Sequence, residues 1–284
     1  MRPQNIMPKT NPYQAVPQGP PAAALKSPPT VAVIFLHPMC NMTCTFCITE
    51  DHFDVMSEDQ ARDLLKVLKK ENFKSVVFGG GEPFAWPGDL VRLTQDAKRM
   101  GFLVQVGTNA IALPKGFESI ASIDRYVLPL ESLDSAVHNR MRFHKDKHHQ
   151  LIMESLKRLR GARKSVTLST IITKVNKDGL KDLALFLKKF NQPHPFIHAW
   201  HLYEFLPQGR GGRVNALALA IPDKEYMAVC GAVKAMGMPF PVYLRKDMYR
   251  SKTVDFFWYQ RGQLQRAGMN EQGKVRDHYD CSCL

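Results

Sequence analysis

The sequence predicts an α/β fold built on a parallel sheet, and three observations carry that expectation. Apolar runs of strand length alternate with amphipathic stretches of helix length from Thr30 to about residue 205. The connections between them are short, which suits right-handed crossovers between parallel strands. No G-x-G-x-x-G follows the first apolar run, so a dinucleotide-binding sheet has no support. Six such strands can lie flat and doubly wound or curl into a partial barrel.

Residues 1–29 hold eight of the nineteen prolines and little hydrophobic patterning, which predicts a flexible or extended arm. Residues 31–36 read as the first strand. A helix follows over 57–70, with Ser57 as N-cap and Gln60 at the capping-box position. The second strand is 75–78, then a helix over 89–100 that stops at Gly101, then a third strand over 102–106. Residues 124–130 give the fourth strand, with a helix around 149–160 behind it. The fifth strand is 165–172, its helix 181–190, and the sixth strand 198–205. Beyond residue 210 the pattern changes: a helix over 223–236 and strands over 240–245 and 254–259 read as a small α+β extension, 211–284, that closes one side of the site.

The formal charge of +13 favours anionic partners such as phosphates, nucleotides, nucleic acid or an acidic peptide. Much of the excess lies in 140–164, part of which reads as a solvated helix face. No nucleic-acid module or basic stripe interleaved with stacking aromatics is visible, so a small anionic substrate is favoured over nucleic acid. No apolar stretch is long enough to span a bilayer, so no membrane partner is expected. The first residues lack a charged-then-apolar export pattern. Six cysteines in clusters suggest a reducing compartment and metal chemistry, hence a cytoplasmic protein.

Cys40, Cys44 and Cys47 stand in C-x3-C-x2-C spacing just after the first strand. Three thiolates on one loop can anchor an iron–sulfur cubane and leave one iron open for a substrate or cofactor. A zinc loop is the alternative, with His37 nearby but in an unfamiliar spacing. In barrel-type sheets the working residues sit at the carboxyl ends of strands. The second strand delivers Gly79-Gly80-Gly81-Glu82-Pro83, whose carbonyls with Glu82 suit a ligand ammonium. The third ends in Gly107-Thr108-Asn109 and the fourth in Glu131-Ser132-Leu133-Asp134. The fifth carries Ser169, and the sixth carries His201 and Tyr203, followed by Arg210 and Arg213.

The cysteine triplet with Phe46 before its last member, followed by Gly-Gly-Glu-Pro after the second strand, resembles the radical S-adenosylmethionine (radical SAM) superfamily over about residues 30–210. The resemblance implies a partial (β/α)6 TIM-type barrel with a [4Fe-4S] cluster on Cys40, Cys44 and Cys47. It implies reductive cleavage of S-adenosylmethionine (SAM) to a 5′-deoxyadenosyl radical that takes hydrogen from a substrate, with an external electron donor such as a flavodoxin or ferredoxin. By the match, Gly80, Gly81 and Glu82 hold the methionine ammonium and Phe46 lies near the adenine. Thr108 and Asn109 match a Thr-Asn-Gly element in which Ala110 replaces the glycine. Aligning Pro129-Leu130-Glu131-Ser132 with the acidic strand-4 element makes Glu131 a ribose contact and Arg142 a carboxylate contact; Ser169 joins the cofactor set.

The fifth strand resembles viperin-like and molybdopterin-precursor-synthase-like enzymes. Nucleotide chemistry is then expected, with His201 and Tyr203 facing substrate and Arg210, Arg213, Lys145 and Lys147 as a phosphate clamp or as solubilising charge. A peptide maturase or a nucleic-acid-modifying enzyme is the alternative within the superfamily, and a non-enzymatic metal-binding or regulatory protein is the alternative outside it. Cys230, Cys281 and Cys283 are the remaining thiols for an auxiliary cluster such as some relatives carry. Cys230, however, falls on an apolar helical pattern and reads as a core residue, and the tail pair Cys281 and Cys283 lacks the usual auxiliary spacing. A tail cysteine as hydrogen donor is the alternative.

Overall fold

A computed structural model describes residues 30–50, 52–246, 248, 251 and 253–268. The expected N-terminal arm and the pair Cys281 and Cys283 lie outside those residues. In chain order the elements are β1 (Val31–Phe35), β2 (Thr43–Cys44), α1 (Glu58–Lys70), β3 (Ser75–Gly79), α2 (Leu90–Arg99), β4 (Leu103–Gly107), β5 (Arg125–Pro129), α3 (Ser135–Met141) and β6 (Arg142–Phe143). They continue with α4 (His148–Gly161), β7 (Ser165–Ile172), α5 (Leu180–Phe190), β8 (Ile197–Glu204), α6 (Gly209–Gly212), α7 (Ala216–Leu219), α8 (Asp223–Ala235), β9 (Val242–Arg245), β10 (Val254–Gln260) and β11 (Gln263–Ala267).

Local chemistry fixes the helix starts. The Ser57 side chain accepts from Gln60 N while the Gln60 side chain accepts from Ser57 N, so the capping box forms as the sequence predicts. Asp89 caps α2 by accepting from Arg92 N. Cys230, on α8, is fully buried in the core.

The six expected strands lie side by side and parallel in the order β1-β3-β4-β5-β7-β8. The segment after residue 210 behaves differently from the expected cover over one side of the site. Its strands extend the same sheet at both edges: β9 runs parallel to β8, β10 parallel to β1, and β11 antiparallel to β10. Edge strands complete the unpaired backbone groups of their neighbours, and side-chain alternation does not reveal which edge they join. The result is an open, largely parallel sheet of nine strands, a partial TIM-type barrel.

Alternation along each strand separates two faces. Ile34, Phe78, Val104, Tyr126, Leu168 and Trp200 are fully buried in the core beneath the helices. The register-matched positions on the other face are only partly covered, and several are polar: Gln105, Arg125, Ser165, Ser169, His201 and Tyr203. That inner face and the carboxyl ends of the strands position the site.

Candidate active site

The cysteine loop leaves β1 and is fastened on three sides. The ribbon of β2 and β6 pairs Cys44 with Arg142 and Thr43 with Phe143. Thr45 donates to the Met141 carbonyl through its backbone N at 3.0 Å and its hydroxyl at 3.2 Å. The Cys47 carbonyl accepts from Gly211 N at 3.0 Å and Gly212 N at 3.3 Å, so α6 caps the loop from above. Beneath it, the turn after β3 comes so close that a Cβ on Gly81 would lie 1.7 Å from the Met39 carbonyl oxygen. Gly80 adopts φ +114°, a region that L side chains rarely enter. The glycines are therefore demanded by backbone contact with the cysteine loop as well as by any ligand.

The donor set fits an iron–sulfur cluster with three protein anchors. All three thiols are free and partly accessible. Asn109 Nδ2 lies 3.4 Å from Cys40 Sγ, and Arg142 Nη1 lies 3.5 Å from Cys44 Sγ, so an amide and a guanidinium both donate toward sulfur. Burial pushes the Cys44 thiol up to about 12, with Arg142 opposing it, and burial also raises Cys40. Coordination to iron removes such protons outright. Among the described residues, no three His, Cys, Asp or Glu side chains are grouped to hold one metal ion. A cubane spreads its thiolates over separate irons and needs no such convergence, whereas zinc does. His37, the nearest imidazole in sequence, is fully buried and uses Nε2 to donate to the Glu82 carbonyl at 2.8 Å.

A web of buried polar contacts joins the strand ends. The Glu82 carboxylate accepts from Thr108 Oγ1 at 2.7 Å, Asn109 N at 2.7 Å and Phe84 N at 3.1 Å, and it is fully buried. Burial raises its pKa, and those three donors oppose the shift. Its side chain thus ties the end of β3 to the end of β4. In the glycine turn, the Gly79 carbonyl accepts from Leu36 N at 3.1 Å and the Gly80 carbonyl from Thr49 Oγ1 at 3.2 Å. Ala110 keeps the left-handed conformation of the glycine that it replaces, at φ +67°.

Glu131 and Arg142 form a buried pair with Nε 2.6 Å from Oε1. The other Glu131 oxygen accepts from Ile171 N at 2.7 Å. Both oxygens thus accept a bond inside the chain, so Glu131 braces Arg142 and β7. Burial raises Glu131, while Arg142 and Ile171 N–H oppose it; the guanidinium keeps its charge and the pair stays ionic. Arg142 also packs over Phe46, 4.8 Å from the ring centroid. One guanidinium therefore reaches a cysteine sulfur, the Glu131 brace and the expected adenine contact.

Behind this web lie two histidines that the sequence reading did not place in the site. Glu131 N donates to His138 Nδ1 at 3.1 Å, His138 Nε2 meets His148 Nδ1 at 2.8 Å, and His148 Nε2 meets the Asn109 carbonyl at 2.9 Å. A backbone N–H at one end and a carbonyl at the other fix both rings as neutral Nε2–H tautomers. Burial, first of several causes, lowers His138 to about 2 and His148 to about 3.

On the inner face, Ser169, His201 and Tyr243 are in register across β7, β8 and β9, and Tyr203 is in register with Arg245. Tyr243 and Arg245 fall in the segment read from sequence as an extension. Arg210 and Arg213, expected in a phosphate clamp, are engaged by the cysteine loop and its exit: Arg210 Nη1 donates to the Pro38 carbonyl at 2.9 Å, and Arg213 pairs with Glu50 at 2.8 Å.

Residues 34–187 match the family model of the Radical SAM superfamily. A curated relative, the S-adenosylmethionine-dependent nucleotide dehydratase of Lacinutrix mariniflava, is 27% identical over 210 residues, covering 66% of this chain and 40% of the relative. The match thus spans less than half of that relative's length. Among solved structures, Streptococcus suis SuiB bound to S-adenosylmethionine superposes with TM-score 0.61 at 18% identity, over 78% of this chain and 51% of SuiB. The FeFe-hydrogenase maturase HydG from Carboxydothermus hydrogenoformans gives TM-score 0.60 at 16% identity, over 75% and 53%. At that level of identity the likeness shows a shared fold.

Proposed function

The chain belongs to the radical SAM superfamily, and from that premise we propose that it abstracts a hydrogen atom from a nucleotide or other phosphorylated small molecule. It is an enzyme that uses a [4Fe-4S] cluster and SAM. When bound, that pair supplies one electron to the sulfonium C–S bond and so yields methionine and a 5′-deoxyadenosyl radical. Cys40, Cys44 and Cys47 would anchor the cluster, with Asn109 and Arg142 donating toward two of the sulfurs. The turn at Gly80 and Gly81 would offer backbone carbonyls to the methionine ammonium, held in place by Glu82. Phe46, packed under Arg142, would bound the adenine side, and Thr108, Asn109 and Ser169 complete the cofactor pocket. An external one-electron donor of the flavodoxin or ferredoxin class would supply the reducing equivalent.

The observation that carries the substrate class is the charge of the inner face. Among the described residues, its register-matched positions include Arg125 and Arg245 and no carboxylate. A cavity lined by one sign of charge concentrates ligands of the other sign. The similarity to a nucleotide dehydratase supports the same class. The test is deuterium transfer: anaerobically reconstituted protein is reduced with SAM and ribonucleoside triphosphates deuterated in the sugar. Label in 5′-deoxyadenosine is the expected result. SAM cleavage that no nucleotide stimulates, with label arriving instead from a deuterated peptide or RNA, overturns the reading.

A further inference from the structure

We propose that Arg245 and Tyr203, oriented by His201 and Tyr243, form an anion site on the inner face that receives a phosphate group of the substrate. The inference rests on the reading of that face as the substrate site and adds the residues that grip the charge. Both residues lie at the carboxyl ends of adjacent parallel strands, β8 and β9, in direct register. Arg245 stacks on the Tyr243 ring, 4.8 Å from its centroid, which fixes the plane of the guanidinium. Its Nε is buried and has no hydrogen-bond partner among the described residues. The other side of the group meets His201 Nε2 in a long contact of 3.5 Å.

The tautomer of His201 decides what remains. Arginine has no acceptor, so the imidazole atom facing it must be the bare nitrogen. The proton then sits on Nδ1 and is donated to the Tyr203 hydroxyl oxygen, 3.2 Å away. Burial, followed by the neighbouring Arg245 charge, lowers His201 to about 3, so the ring is neutral. Tyr203 accepts from His201 and keeps its own proton to give. The Tyr203 O–H and the Arg245 Nε–H thus remain as donors beside a cation with no carboxylate pair among the described residues. A buried N–H left unpaired is costly, and a fork of N–H groups beside a phenol matches the oxygens of a phosphate.

Inorganic tripolyphosphate is the probe, titrated calorimetrically into anaerobically reconstituted, SAM-loaded full-length protein. The wild-type protein binds it, Arg245→Gln weakens binding about tenfold or more, and Tyr203→Phe about threefold to tenfold. Circular dichroism shows whether each variant is folded, and Tyr203→Phe, which removes one buried oxygen, decides the matter if Arg245→Gln does not fold. Affinity within twofold of wild type in the folded variants overturns the proposal. Deuterium transfer separates this result from the substrate reading. If a nucleotide donates its label with KM unchanged in both variants, the anion site fails and the nucleotide reading stands. If the variants lose tripolyphosphate while no nucleotide donates label, the anion site stands and the nucleotide reading fails.

Discussion

The cysteine end of the sheet and the β8–β9 side of its inner face use polar groups in opposite ways. At the first, Glu82 gathers three donors, the Asn109 side chain contacts Asn41, Ile111 and a cysteine sulfur, and Arg142 spans Glu131 and Cys44. At the second, Arg245 has neither a hydrogen-bond partner for Nε nor a carboxylate pair among the described residues. Dense networks hold geometry, although His37 Nδ1 at the cysteine end is also buried without a partner among the described residues. A buried donor left over in a native structure calls for a ligand or another explanation. Under the proposed function, that difference separates residues that would place the cofactor from residues that would receive substrate.

Variants can break that comparison from its strongest point downward. Gly81→Ala drives a Cβ into the Met39 carbonyl, a backbone atom that cannot rotate away, so the cysteine loop must move. A cost on the order of 3 kcal/mol and a marked fall in iron bound per chain after reconstitution are expected, read by denaturation and iron assay.

Glu82→Gln comes next. The amide presents N–H where Asn109 N already donates, and unpairing that buried group costs about 2 kcal/mol in urea unfolding. Arg245→Gln sharpens the contrast, because the half-buried Arg245 makes no ion pair among the described residues and its loss leaves apo-protein stability within about 1 kcal/mol of wild type. Equal losses in the two variants would erase the distinction.

Acid titration probes the histidine pair. His138 and His148 are held well below the ordinary imidazole value, so the unfolded chain binds more protons than the native one at mildly acid pH. Their contribution is complete above pH 6.5 and is lost progressively as pH falls toward about 3 for His148 and about 2 for His138. Each site adds up to about 1.4 kcal/mol per pH unit within its window. His148→Gln should flatten the pH dependence of unfolding by about one proton's worth. The smallest change is at Ala110, where glycine relieves the left-handed backbone, and Ala110→Gly should stabilise by about 0.5–1 kcal/mol in thermal or urea unfolding.

Much of this architecture was legible in the residues. Apolar runs of strand length marked the six strands, and Ser57 with Gln60 announced the start of α1. The cysteine triplet and glycine turn pointed to neighbouring strand ends. Other features left no local signal. The two-residue ribbon of β2 and β6 is too short for periodicity, and His138 and His148 meet across a loop, ten residues apart and without repeat. Alternation identifies β9 as a strand but not its neighbour, so Tyr243 and Arg245 were hidden in an apparent appendage. Glu131 was found by its spacing, yet spacing does not say whether its oxygens turn toward a ligand or inward to Arg142 and Ile171.

Mössbauer spectroscopy of protein reconstituted with iron-57 tests the central claim, that Cys40, Cys44 and Cys47 leave one corner of a cubane for SAM. The account predicts a [4Fe-4S] spectrum in which about one quarter of the iron changes its parameters when SAM is added. A cluster whose iron is indifferent to SAM, or a protein that takes up a single zinc and no cluster, contradicts it.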